Sequence, residues 1–88
     1  MLVKQYSGSI KMRLVDAVYK RITDLANERN ISLYKIAKDS CVPYSTIATM
    51  TRSKTVKLST VYSICLGVNI SLEEFFHSEL FADNKISE

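Results

Sequence analysis

Two glycines and a single proline serve the whole of this 88-residue chain. A small β-sandwich or barrel reverses direction many times and relies on those two residues to do so, so their scarcity directs the chain toward helices. The apolar spacing agrees. Val15, Val18, Ile22 and Leu25 recur at three- and four-residue steps with charged residues between them, which predicts an amphipathic helix over about 14–29. Asn30-Ile31-Ser32 interrupts it, and Ser32 is placed to cap a second helix that carries Leu33, Ile36 and Ala37 to about Ser40. Pro43 precedes Tyr44-Ser45-Thr46-Ile47-Ala48-Thr49-Met50, where it suits a helix start and opposes continuation of the helix before it. Leu58, Val61, Ile64, Cys65 and Val68 then mark one face of a fourth helix, ended by Asn69. Ser71-Leu72-Glu73-Glu74 has the form of a capping box and opens a fifth helix carrying Leu72, Phe75, Phe76 and Leu80. The expectation is an all-α, five-helix domain over 14–81, an N-terminal arm or leader over 1–13, and a fraying tail over 82–88.

A hydrophobic fraction of 47% with 24% charged residues is enough for one buried core, which argues against disorder throughout and against a two-domain enzyme. No apolar run reaches the ~18 residues of a membrane span. The opening Met1-Leu2-Val3-Lys4-Gln5-Tyr6 lacks the apolar stretch of a signal peptide, so the reading is cytoplasmic with no membrane partner. Cys41 and Cys65 stand 24 positions apart with no CxxC and one distant His77, which fits neither a zinc site nor a disulfide framework. Two buried, reduced thiols are expected, with no metal and no cofactor. A single histidine, placed on a helix surface, and the absence of a Gly-rich phosphate loop leave no enzyme constellation. Charge is distributed unevenly: residues 1–57 hold eleven cations against four carboxylates, a net of +7, whereas 58–88 hold one against five, a net of −4. A basic front and an acidic rear suggest a polyanion-binding face on one side only.

Two helices of about eight residues joined by the turn Cys41-Val42-Pro43 resemble a helix-turn-helix, whose second helix enters the DNA major groove. The stretch Ser32-Leu33-Tyr34-Lys35-Ile36-Ala37-Lys38-Asp39-Ser40-Cys41-Val42-Pro43-Tyr44-Ser45-Thr46-Ile47 resembles the S-L-x-x-L-A-x-x-x-G-x-x-x-S-T-I core of the Xre/Cro family of phage-repressor-like transcriptional regulators. Ile64-Cys65-Leu66-Gly67-Val68-Asn69-Ile70-Ser71-Leu72-Glu73-Glu74-Phe75-Phe76 is similar to that family's ending, so the resemblance covers about residues 14–76. It implies a lambda-repressor-like fold and sequence-specific binding of double-stranded DNA by a regulator, most simply a repressor. Base-reading residues would be Tyr44, Ser45, Thr46 and Thr49, and phosphate contacts Ser32, the Leu33 N–H, Arg52 and Lys54.

The residues support the resemblance on their own terms. Ala37 falls where the two helices should cross, and Ile36, Ile47 and Met50 point inward, as any helical hairpin would want. Hydroxyls at the front of a surface helix are less expected there than Glu, Lys or Ala, and they can bond to base edges or phosphates. Lys35 and Lys38 read as plain solvated charge. Three departures stand out: Cys41 holds a turn position usually given to glycine, Arg52-Ser53-Lys54 replaces Asn-Gly-Lys, and Val56-Lys57 stands where Pro-Ser usually caps the fourth helix. A short recognition helix covers few base pairs, so a homodimer on DNA is expected, self-associating through the apolar and acidic rear. Two alternatives stay open: an antitoxin of the same fold docking a toxin through Phe75, Phe76, Leu80, Phe81 and the acidic tail, and a protein-interaction module that never binds DNA.

Overall fold

A computed structural model of the chain describes residues 11–88. Among them are five α-helices: α1 (Leu14–Arg29), α2 (Leu33–Ser40), α3 (Tyr44–Ala48), α4 (Leu58–Val68) and α5 (Leu72–Phe76), with 3-10 turns at Met50–Arg52, Glu79–Phe81 and Asp83–Lys85. No strand is present among the described residues; a single parallel bridge joins Met12 to Ile86. No helix is long and apolar enough to cross a membrane. The all-α expectation and the start of every helix are met.

One core holds the helices together. α1 contributes Val15, Val18, Ile22 and Leu25, α2 Ile36 and Ala37, α3 Ile47, α4 Val61, Ile64, Cys65 and Val68, and α5 Phe75, with Met50 beneath the turn after α3. Burying each of the larger side chains contributes about 1.5–3 kcal/mol, which is why helices as short as α3 and α5 persist at all. α2 lies against α4 so closely that a Cβ on Gly67 would meet Ser40 Oγ, with Ser40 Cα at 2.9 Å. The approach leaves the Ser40 hydroxyl buried without a partner.

Three helices end in the same way. Asn30, Cys41 and Asn69 adopt the left-handed conformation at φ 57, 57 and 62°. In each, the following residue donates back five positions (Ile31 to Ala26, Val42 to Ala37, Ile70 to Cys65, all 3.0 Å), which closes a Schellman motif over the core. Ser32 and Ser71 then cap α2 and α5 by accepting from Lys35 N and Glu74 N at 3.0 and 2.9 Å.

Several expectations are corrected. Leu58 is 64% exposed rather than buried with Val61, because as the first residue of α4 it stands at the margin of the face that Val61, Ile64, Cys65 and Val68 bury, in line with exposed Tyr62 and Leu66. Cys41 is exposed and only Cys65 is buried, since a residue in the left-handed corner of a turn points away from the helices it joins. Burial pushes the Cys65 thiol up from its ordinary range. The third helix stops at Ala48 rather than Met50, tightening into a 3-10 turn that swings Met50 into the core. Residues 82–88 are not a fraying tail: Met12 N–H donates to Lys85 carbonyl and Ser87 N–H to Met12 carbonyl, both at 3.0 Å, and Glu88 Oε2 accepts from Leu14 N–H at the start of α1. Met12 and Arg13 accordingly belong to the packed structure, while residues 1–10 of the expected arm lie outside the described residues. Phe75 is fully buried rather than exposed for docking, and Phe76 and Phe81, both half-buried, pack on it and on each other at ring separations of 4.9–6.1 Å.

Candidate nucleic-acid interface

The residues singled out from the sequence lie on α3 and its end, on the start of α2 and on the loop after α3, and all but half-buried Leu33 are exposed. Tyr44, Ser45, Thr46 and Thr49 are all exposed along α3 and its end, while Ile47 anchors the opposite face with no exposure. Tyr44 meets Tyr34 of α2 edge to face, with ring centroids 5.9 Å apart. That contact brings the first turn of α2, with Ser32 and Leu33, alongside the first turn of α3. Ser32 Oγ spends a lone pair on Lys35 N–H and keeps its own proton to donate outward. Ile36 N–H bonds to Ser32 carbonyl, so the uncapped donors of the α2 start are those of Leu33 and Tyr34.

At the other end of α3, the chain turns through Met50–Arg52 into an open loop. Thr46, Thr49, Ser53, Thr55, Lys57 and Thr60 line a shallow cleft of about 360 Å³ between α3, this loop and the start of α4. Thr49 Oγ1 donates to Ser45 carbonyl at 2.7 Å, so outward it offers lone pairs alone. Arg52 and Lys54 are exposed and have no carboxylate within ion-pair distance among the described residues. Lys35, in contrast, is taken up by Asp39 at 3.0 Å, in keeping with its reading as surface charge.

Sequence reasoning missed two contributors. Arg13 reaches from the cap of α1 to the carbonyls of Thr51 (2.7 Å) and Ser53 (3.3 Å), which flank Arg52, and is itself held by both oxygens of Asp16 at 2.9 Å. These hydrogen bonds push the Asp16 carboxyl below its ordinary value and raise Arg13. The loop carrying Arg52 and Lys54 is thus braced at its backbone while its cations remain free. The i,i+3 spacing of Arg13 and Asp16 was legible, but no local pattern places a residue 38 positions ahead against Thr51. Tyr34 is the second: 63% exposed on an α2 face that periodicity assigns to solvent, it shows its role only once α3 is folded beside it.

Arg21 has a purely architectural part. It donates to the carbonyls of Phe75 (2.7 Å) and Glu74 (2.9 Å) and so satisfies the end of α5. Among the described residues no group of His, Cys, Asp and Glu is placed to hold a metal ion. Comparison with known proteins finds no match for this chain, whether among family models, curated proteins or solved structures.

Proposed function

We propose that the chain is a sequence-specific double-stranded DNA-binding protein, a transcriptional regulator of the Xre/Cro type with a lambda-repressor-like fold, in which α2 and α3 form the helix-turn-helix and α3 enters the major groove. The observation that carries this reading is the division of labour between two consecutive segments: exposed uncharged hydroxyls on α3, and exposed unpaired cations on the braced loop that follows it. Base edges are read by short donors and acceptors, whereas phosphates are held by cations and by free N–H groups at a helix start. Tyr44 and Ser45 supply donors and acceptors. Thr49, its proton already given to Ser45 carbonyl, reads as an acceptor facing an amino group of adenine or cytosine. Ser32, the Leu33 N–H, Arg52 and Lys54 straddle the backbone on either side.

The test begins with selection of bound sites from genomic fragments, followed by titration of alanine variants on selected and random duplexes at several salt concentrations. Alanine at Tyr44, Ser45 or Thr49 is expected to cost about 1–3 kcal/mol on the selected site and almost nothing on random DNA. Alanine at Arg52 or Lys54 should weaken both alike and lower the salt slope by about one unit each. If the hydroxyl variants lose both affinities equally, or the cation variants lose neither, the placement of α3 in the groove is wrong.

A further inference from the structure

Arg13 is tied on three sides, and two of the ties come from the far end of the described chain. Immediately before it, Met12 is held at both backbone groups: its N–H donates to Lys85 carbonyl and its carbonyl accepts from Ser87 N–H, each at 3.0 Å. Immediately after it, Leu14 N–H donates to Glu88 Oε2 at 2.6 Å. The third tie is the Arg13 side chain, which reaches the Thr51 and Ser53 carbonyls on either side of Arg52. Segment 85–88 and the loop of Arg52 and Lys54 are thus joined through one residue.

Local chemistry explains the need for the tie. α1 has no side-chain cap of its own, because Arg13 stands at the cap position and a guanidinium has no lone pair to offer a first-turn N–H. Glu88 supplies the missing acceptor from 74 positions away, and its negative charge suits the positive end of a sixteen-residue helix. The Arg13 guanidinium is held in its charged form first by its hydrogen bond to Asp16, and through space by the carboxylates of Asp16 and Glu88. Glu88 and Lys54 line one small pocket of about 230 Å³ together with Leu14, Val15, Thr55 and Val56. Lys54 nevertheless has no carboxylate within ion-pair distance among the described residues, so the cation stays available while the carboxylate serves α1.

We infer that Glu88 is a positioning residue for the phosphate-binding loop: it fixes the start of α1, the start of α1 fixes Arg13, and Arg13 holds the Thr51 and Ser53 carbonyls so that Arg52 and Lys54 present their charges in one arrangement. Loosening segment 85–88 therefore loosens the loop. A cation on an ordered loop gives up less conformational freedom on meeting a phosphate than one on a slack loop, so the tie is expressed as affinity. That effect on affinity rests on the DNA reading, whereas the tie between segment and loop does not.

Two substitutions of exposed Glu88 in the full chain test this. Glu88→Gln and Glu88→Ala remove the same charge, but only glutamine keeps an oxygen that can accept from Leu14 N–H. Their difference isolates the hydrogen bond from any change in the attraction between protein and DNA. In the free protein, amide hydrogen exchange at Leu14, Arg52 and Ser53 is expected to run about fivefold faster in Glu88→Ala than in Glu88→Gln, the factor that corresponds to loss of one helix cap. Exchange at Ile31, past the other end of α1, should be the same in both, which a general loss of stability would not allow. With Arg13→Leu also present, the two variants should give equal rates at Arg52 and Ser53, because the link to the loop is already cut. Unchanged helical circular dichroism verifies the fold of each variant. On a duplex that the parent chain selects, Glu88→Ala should bind about threefold more weakly than Glu88→Gln. Equal exchange at Arg52 and Ser53 in the two Glu88 variants, a difference that persists without Arg13, or equal affinities for a duplex that the parent binds would overturn the proposal. A parent chain that selects no duplex removes the DNA reading alone, and the exchange rates at Arg52 and Ser53 then decide the tie.

Discussion

The turn before α2 and the turn before α3 have nearly the same backbone and very different chemistry. Asn30-Ile31-Ser32 and Cys41-Val42-Pro43 each place a left-handed residue first, at φ 57°, ψ 43° and φ 57°, ψ 37°, then a β-branched residue that packs on the core, then an extended residue at the helix cap. Asn30 tolerates its conformation because a short polar side chain can bond locally, whereas the left-handed well costs a residue such as Cys41 roughly 1–2 kcal/mol. Ser32 gives its helix a side-chain cap, while Pro43 gives none. The better-built turn leads into an eight-residue helix and the poorer one into five residues. Local chemistry therefore explains where α2 begins, but the position of α3 depends on what Ile47, Val42 and Met50 find in the core.

If that contrast is right, the largest effect belongs to packing. Ile47→Ala should destabilise the protein by about 2–5 kcal/mol in urea unfolding, more than any turn substitution, and with it should go the alignment of Tyr44 and Thr49. A loss no larger than that of Ser32→Ala would mean that the turn itself holds α3. Gly67→Ala comes next. Its Cβ would sit 2.9 Å from Ser40 Cα, a backbone atom, so α2 and α4 must part at a cost of about 1–3 kcal/mol. Because the turn geometry is untouched, this variant isolates the seat of α2 from its caps.

The caps come third. Ser32→Ala and Ser71→Ala should each cost ~1 kcal/mol, while Pro43→Ala, which removes no capping bond, should cost distinctly less. Equal losses at all three would erase the difference between the turns. Cys41→Gly tests the strained corner from the opposite side, with a gain of about 0.5–1 kcal/mol expected because glycine occupies that well freely. A clear fall in melting temperature would show that the Cys41 side chain contributes a contact that outweighs its strain.

The smallest effect lies at the loop beyond α3. Asp16 has its carboxyl held down by Arg13, so the folded state prefers the ionised form more than the unfolded chain does. The brace is complete above the ordinary aspartate range near ~3.9 and is lost as pH falls through the lower folded value. Thermal melts between about pH 5 and about pH 2 should show a shallower acid dependence for Asp16→Asn than for the parent chain, together with weaker backbone protection at Thr51 and Ser53 in hydrogen exchange. Identical acid slopes would remove Asp16 from the support of this loop.

Much of this is legible in the sequence because it is local. Ser32 and Ser71 stand immediately ahead of apolar runs, and a hydroxyl there has one useful thing to do, which is to accept a first-turn N–H. The exposed hydroxyls of α3 are legible for the same reason, since a five-residue helix with Ile47 inward leaves Tyr44, Ser45 and Thr49 outward. Periodicity misplaces Leu58 because it says that a face is apolar without saying how far the neighbouring helix extends to cover it. Hydrophobic character misplaces Cys41 because it says nothing about the direction in which a left-handed corner points. Phe81 comes to lie beside Phe75 and Phe76 only because the chain folds back after α5, which no local spacing reveals.

The sequence by itself determined five helices, the caps at Ser32 and Ser71 and the left-handed corner at Asn69, since each follows from the residue at that point and its neighbours within a turn. Only the tertiary structure decided that Arg13 braces the loop of Arg52, that Tyr34 meets Tyr44, that Gly67 admits Ser40, that the 82–88 segment pairs with Met12, and that one side of α4 is left bare. These contacts join residues far apart along the chain, and hydrophobic burial, which drives them, is indifferent to direction and to partner. It rewards any covering of apolar surface, and which covering forms is settled by the shapes of helices that have already come together.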